Sequence, residues 1–220
     1  MIARQLISET ITPLRPKEPG ASALGLMDEL RVSQLPIVEN EEFLGLISDT
    51  DILNHNNFAE HVGSHPLSLS NAYVHESQHI YDVIRIIESM KLSLVPVLDE
   101  KEHYLGSITL ATLSHHLSEL MALNNPGGII VLELNDKDYL LTEIAQIVES
   151  NDAKVLGLYI TTFPDSTRME VTIKINKIDV GPILQTFIRY NYIIKASFSE
   201  DSYTDSLQER YNSLMNYLNI

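Results

Sequence analysis

The sequence has no cysteine. Disulfides, thiolate zinc sites and a cysteine nucleophile are therefore excluded. It has no apolar run near the ~18 residues that a membrane span requires. The opening stretch "MIARQLISET" lacks the hydrophobic core of a signal peptide. These absences predict a cytoplasmic protein. Positive charge is scarce: 15 basic residues face 30 acidic ones, for a net charge of -15. Such a surface repels nucleic acid and anionic lipid, and no basic stripe offsets it. Nucleophile elbow, phosphate-binding glycine loop, zinc-protease helix and dinucleotide fingerprint are all missing. The expectation is a protein that is not an enzyme and has no obligatory cofactor.

The 220 residues, 44% of them hydrophobic, suffice for one large core or two modest ones. Two stretches share one pattern. The first is "LMDELRVSQLPIVENEEFLGLISDTDIL" from Leu26, and the second is "IIESMKLSLVPVLDEKEHYLGSITLATL" from Ile86. Each reads as helix end, turn, proline-containing strand, acidic turn, apolar strand with glycine, then helix. Pro36 matches Pro96, and Gly45 matches Gly106 with one extra residue in the second turn. A period near 60 residues predicts two copies of one unit packed together. Ile80, Val83, Ile84 and Ile87 fall on one helical face, as Ala23, Met27 and Leu30 do more weakly. A proline cannot donate to a strand ladder, so each proline strand should leave an open edge.

Proline, two apolar residues, an acidic turn, then glycine, two apolar residues and Ser/Thr-x-x-Asp resembles the CBS domain, here as a tandem pair, a Bateman module. The resemblance covers roughly residues 1 to 120. In "GLISDTDIL", Ser48 and Asp51 have the spacing of a capping box, a motif that stabilises a helix start by about 1 kcal/mol. The resemblance implies a second use for the same geometry. In CBS domains the hydroxyl meets a phosphate and the carboxylate meets both hydroxyls of a ribose. By position this nominates Ser48, Asp51, Thr12, Leu35 and Pro36. Arg31, Arg15 and Lys17 are the cations available to a phosphate, because Gln34 stands where many family members carry a basic residue. The second copy keeps Thr109 but has Thr112 in place of the carboxylate, which predicts one competent cleft and one weak or empty one.

After "LNNPGG", which reads as a linker, the pattern changes. Ile130, Leu132 and Leu134 alternate as a strand. Leu140, Ile144, Ile147 and Val148 space as a helix. "KVLGLYI" is a strand, as is the alternating run Met169, Val171, Ile173 and Ile175. Val180, Ile183, Leu184 and Phe187 form a second helix, and "YIIKASF" a last strand. The order βαββαβ is ferredoxin-like. It resembles an ACT domain, a small-molecule-sensing module that often pairs side by side. Tyr139 stands where the family's ligand site has a glycine, so it should fill that space. Leu207, Tyr211, Leu214 and Leu218 space as a terminal helix that either packs on its own domain or pairs across a two-fold axis.

The predicted fold is therefore α+β. Residues 1–60 and 61–122 are the two CBS repeats, 128–200 the ACT-like domain and 203–220 the terminal helix. Such an architecture resembles small regulatory proteins linked to acetoin utilisation. The resemblance implies a regulatory protein that binds AMP, ADP, ATP or S-adenosylmethionine, forms a homodimer and signals to a partner protein, with neither nucleic acid nor membrane involved. The alternative is an interaction or oligomerisation module with a degenerate nucleotide site. The pairs His61/His65 and His75/His79 have helical spacing, but Pro66 disfavours helix at His65. No metal site is expected.

Overall fold

The computed structural model describes residues 1–55, 57–65, 67, 69–164 and 166–199. The chain is mixed α+β and divides into two units, Met1–Leu117 and Ser118–Ile220. The expected terminal helix at 203–220 lies outside the described residues.

In the first unit, one repeat comprises α1 (Gly20–Leu30), β1 (Gln34–Glu39), β2 (Glu42–Ser48) and α2 (Asp49–His55). The other comprises β3 (Val74–His75), α3 (Ile80–Met90), β4 (Leu94–Leu98), β5 (Tyr104–Thr109) and most of α4 (Leu110–Leu120), whose last turn lies past the boundary at Leu117. Both first helices stop the same way. Arg31 and Lys91 take the left-handed conformation, with φ of 54° and 53°. The next amides, of Val32 and Leu92, then return to the carbonyls of Met27 and Ile87. The β1–β2 turn uses Asn40 and Glu41 at positive φ, which suits the twist of a tight hairpin.

The proline strands are not open-edged. Pro36 sits inside β1 opposite Leu46. On its other side its carbonyl accepts the amide of Leu14, and the amide of Val38 returns to the carbonyl of Leu14. Leu14 thus lies parallel to Ile37, as β3 lies parallel to β4. The edge that proline leaves is filled by the chain's own preceding segment, a pairing too remote in sequence for periodicity to show.

The two repeats exchange their lead-in segments. Ser8 bridges Ser107 of the second repeat, and Leu69 bridges Leu46 of the first. The amides of Ala3 and Arg4 bond the carbonyls of Gln78 and Glu76, while those of Val62 and Gly63 bond Glu18 and Pro16. Each repeat is therefore completed by the start of the other. One buried cluster follows, joining Leu6, Leu14, Ile37 and Ile52 to Ile80, Val83, Leu94 and Ile108.

The second unit has β6 (Ile129–Asn135), α5 (Leu141–Glu149), β7 (Val155–Thr162), β8 (Arg168–Ile175), α6 (Gly181–Arg189) and β9 (Ile193–Phe198). The sheet order is β7-β8-β6-β9, all antiparallel, which is the ferredoxin-like arrangement. Ile130, Leu132, Val171 and Ile173 alternate onto the face that packs with Ile144, Ile147, Ile183 and Phe187. Pro182 falls in the first turn of α6, where its missing amide costs nothing. The glycine pair before β6 is not a free linker. The Gly128 amide donates to the Lys177 carbonyl, its carbonyl accepts the Ile175 amide, and buried Lys174 donates Nζ to the Gly127 carbonyl at 3.1 Å.

Candidate functional site

The strand-to-helix corner of the first repeat is built by a local reciprocal pair. The Ser48 amide donates to Asp51 Oδ2 at 2.9 Å, and the Asp51 amide donates to Ser48 Oγ at 3.0 Å. This is a capping box, and it satisfies two backbone donors. It leaves the Ser48 hydroxyl proton free to donate, and it holds the Asp51 carboxylate at the corner through the Ser48 amide. Ser48 is buried and Asp51 half-buried.

Register decides which other residues can join them. Gln34 lies opposite Ser48, and Pro36 opposite Leu46, so Gln34, Pro36 and Ser48 share one face of the hairpin. Leu35 lies opposite Ile47 and points the other way, fully buried in the core. The structure thus brings Pro36 to the side of Ser48 and takes Leu35 away from it. Thr12 is exposed, two residues before the strand-like Leu14.

Gln34 is committed elsewhere. Its Oε1 accepts the Ser93 amide at 2.9 Å and the Ser93 hydroxyl at 2.7 Å, while Ser93 Oγ accepts the Ser33 amide. Ser33 and Ser93 are equivalent positions in the two repeats, so this cluster pins the repeats where they meet. Of the three cations, Arg31 lines a groove of about 500 Å³ with Asp28, Ser33, Asp49 and Leu53, beside the corner. Arg15 and Lys17 instead line a second hollow of about 580 Å³ with Glu18, Val38 and Glu39, at the other end of β1.

The second repeat carries the same corner without its charge. The Thr112 amide donates to Thr109 Oγ1 at 3.1 Å, and the two hydroxyls share a bond of 2.9 Å. Leu94 lies opposite Thr109, in the place that Gln34 takes opposite Ser48.

The second unit has its own hollow of about 390 Å³, lined by Asn135, Lys137, Asp138, Leu140, Tyr190 and Tyr192 among others. Tyr139 does not fill it: its side chain packs on the unit's core, and the turn stays open. Along this rim Tyr192 donates its hydroxyl to Glu143 Oε2 at 2.7 Å. Burial, then the Glu143 carboxylate, push the Tyr192 hydroxyl well above its usual range. A raised folded-state pKa adds stability below the unfolded value near 10, and that stability is lost as pH rises beyond it. Tyr192→Phe is expected to cost about 1 kcal/mol at pH 8. In denaturant unfolding the gap to wild type should shrink above pH 10, and an equal gap at both pH values refutes the assignment.

No helix among the described residues is long and apolar enough to cross a membrane. Residues 3–56 and 66–119 each match the CBS domain family. Similar crystal structures include a CBS domain pair/ACT domain protein from Thermotoga maritima (18% identity, 54% of this chain and 98% of that one, TM-score 0.49). CBSX2 in complex with AMP is 20% identical over 54% of this chain and 97% of that one, at a TM-score of 0.47; CBSX2 is a CBS-pair protein of Arabidopsis thaliana. The cytosolic domain of the Mg2+ channel MgtE in complex with ATP is 16% identical over 52% and 48%, at 0.44. The N-terminal half of this chain is a tandem pair of CBS domains.

Proposed function

We propose that the chain is a regulatory protein whose first CBS repeat binds an adenosine-containing ligand, AMP, ADP, ATP or S-adenosylmethionine, at the Ser48–Asp51 corner. The observation that carries this reading is the inequality of two otherwise equivalent corners. Both repeats cap their second helix with a hydroxyl, so capping alone needs no carboxylate. Only the first repeat adds one, half-buried and bonded to the Ser48 amide. Asp51 meets the ribose hydroxyls, Ser48 donates to a phosphate, and Pro36 lies on the same face. Thr12 and Leu35 complete the nominated cleft; Leu35 joins it only if the hairpin shifts, since its side chain now faces the core. Arg31, at the groove beside Asp49, is the cation best placed for phosphate.

The ligand acts by favouring one arrangement of the interlocked repeats over another. The ferredoxin-like unit is an ACT-like domain that joins two copies of the chain, and the output goes to a partner protein, as in acetoin-utilisation regulators. A second reading rests on the Asp51–Ser48 bond itself: the carboxylate is only a cap, and the chain is an interaction or oligomerisation module.

Thermal melting of the full chain separates the two. A ligand at a hundred times its Kd adds about 2.7 kcal/mol. Asp51→Asn keeps an acceptor for the Ser48 amide but loses a carboxylate oxygen, so the protein should fold and its response to the ligand should vanish. Thr112→Ala should leave the response intact. If no adenosine compound moves the wild-type melting temperature, the interaction module is the better description. Turnover of the nucleotide in the same samples would contradict a purely regulatory role.

A further inference from the structure

His65 is 4% exposed, and among the described residues neither of its ring nitrogens has a hydrogen-bond partner. A buried polar ring without partners costs stability. The internal duplicate shows what packing alone would select. Val62 and Gly63 bond the first repeat as Ala3 and Arg4 bond the second, so His65, three residues beyond Val62, is equivalent to Leu6. Leu6 is fully buried. A leucine suffices at this position in one repeat, and the other places an imidazole there.

The nearest aromatic neighbour is a second imidazole. His55, exposed at the end of α2, lies with its ring centroid 4.8 Å from that of His65 and its plane turned by 70°. Zinc binds imidazole nitrogen at about 2.0–2.1 Å, and two rings held at a tetrahedral angle then have centroids about 5 Å apart. The centroid spacing of 4.8 Å is close to that value. We propose that His55 and His65 form a two-imidazole site for a divalent transition-metal ion of the zinc class, distinct from the adenosine corner. The ion bridges the last turn of α2 to the segment that leads into the second repeat.

Imidazole suits zinc, nickel and copper, whereas magnesium prefers oxygen. Among the described residues no third histidine or carboxylate converges with a pair such as this one. Water therefore completes the shell, and the ion exchanges readily. His55 is the movable member, because it stands at the surface while His65 is enclosed. The net charge of -15 draws cations to the protein as a whole.

The test uses the tag-free full chain with its eight histidines, as wild type, His55→Ala and His65→Leu. Zinc or nickel at saturating concentration should raise the melting temperature by about 5 °C, and magnesium should not. Each variant should lose the rise and bind Co2+ at least ten-fold more weakly by visible absorption. His55→Ala removes only an exposed side chain, so it decides the matter even if His65→Leu folds poorly. A wild type that ignores zinc, or either variant responding as wild type does, overturns the proposal. The adenosine response should be unaffected by either substitution, which keeps this result separate from that of Asp51.

Discussion

Gly127→Ala should unfold the second unit's sheet, at a cost of at least about 3 kcal/mol. A Cβ at this position would stand 1.9 Å from the Ile175 carbonyl oxygen and 3.1 Å from the Asn176 Cα. Both neighbours are backbone, at the end of β8, and no side-chain rotation can relieve the clash. Gly127 also has a φ of 145°, where side-chain-bearing residues are strained. Its carbonyl is the acceptor for buried Lys174 Nζ, so a shift of this segment would strand an ammonium group as well. Hydrogen exchange gives the readout. Amides of β6 and β8 should lose protection, and the denaturation midpoint assigned to the second unit should fall. A variant within 1 kcal/mol of wild type would mean that the segment has room the structure does not show.

This glycine also marks how far the sequence could be read. "NNPGG" has the composition of a linker, and what makes it structural is Ile175, nearly fifty residues away. Regular periodicity was legible except at its edges: Leu140, read into the helix stripe, is an exposed N-cap. Met169, Val171, Ile173 and Ile175 alternate in the sequence and line the core in the structure. The duplicated proline strands and the CBS assignment of both repeats were legible for the same reason, since each motif repeats within a short span. The Ser48–Asp51 pair was legible because its partners are three residues apart. Facing was not. Leu35 and Pro36 are neighbours in sequence, but the β1–β2 register sends them to opposite sides. Nor was the filled edge beside Pro36, which depends on where Leu14 travels, nor the approach of His55 to His65 across the joint between repeats. Local chemistry can be read directly; what a side chain faces is settled by pairings that local patterns do not encode.

Gly106→Ala tests the exchange of lead-in segments on which the CBS pair depends. A Cβ here would come within 2.4 Å of Ile7 Cγ2, and Gly106 has a φ of 153°. Ile7 is branched at Cβ, so its methyl cannot swing aside freely. The expected cost is about 2–4 kcal/mol, part from backbone strain and part from overpacking. Gly45 is the equivalent position of the first repeat, with φ of 149°. There the nearest atom is Leu67 Cδ1 at 2.8 Å, the far end of a flexible side chain. Gly45→Ala should therefore cost less, because it carries the same backbone strain with a clash that can relax. A double-mutant cycle separates the two parts. With Ile7→Ala in the background, Gly106→Ala should cost about 1–2 kcal/mol less than alone, the remainder being the conformational part. Additivity would show that Ile7 does not press on Gly106 in solution, and the exchange at Ser8–Ser107 would lose its steric support. The same variant bears on regulation. If the ligand works by biasing one arrangement of interlocked repeats, loosening the interlock at Gly106 in the second repeat should weaken the adenosine-induced rise in melting temperature. Should the rise survive undiminished while stability falls, the ligand does not bias the interlock and the exchange serves folding alone.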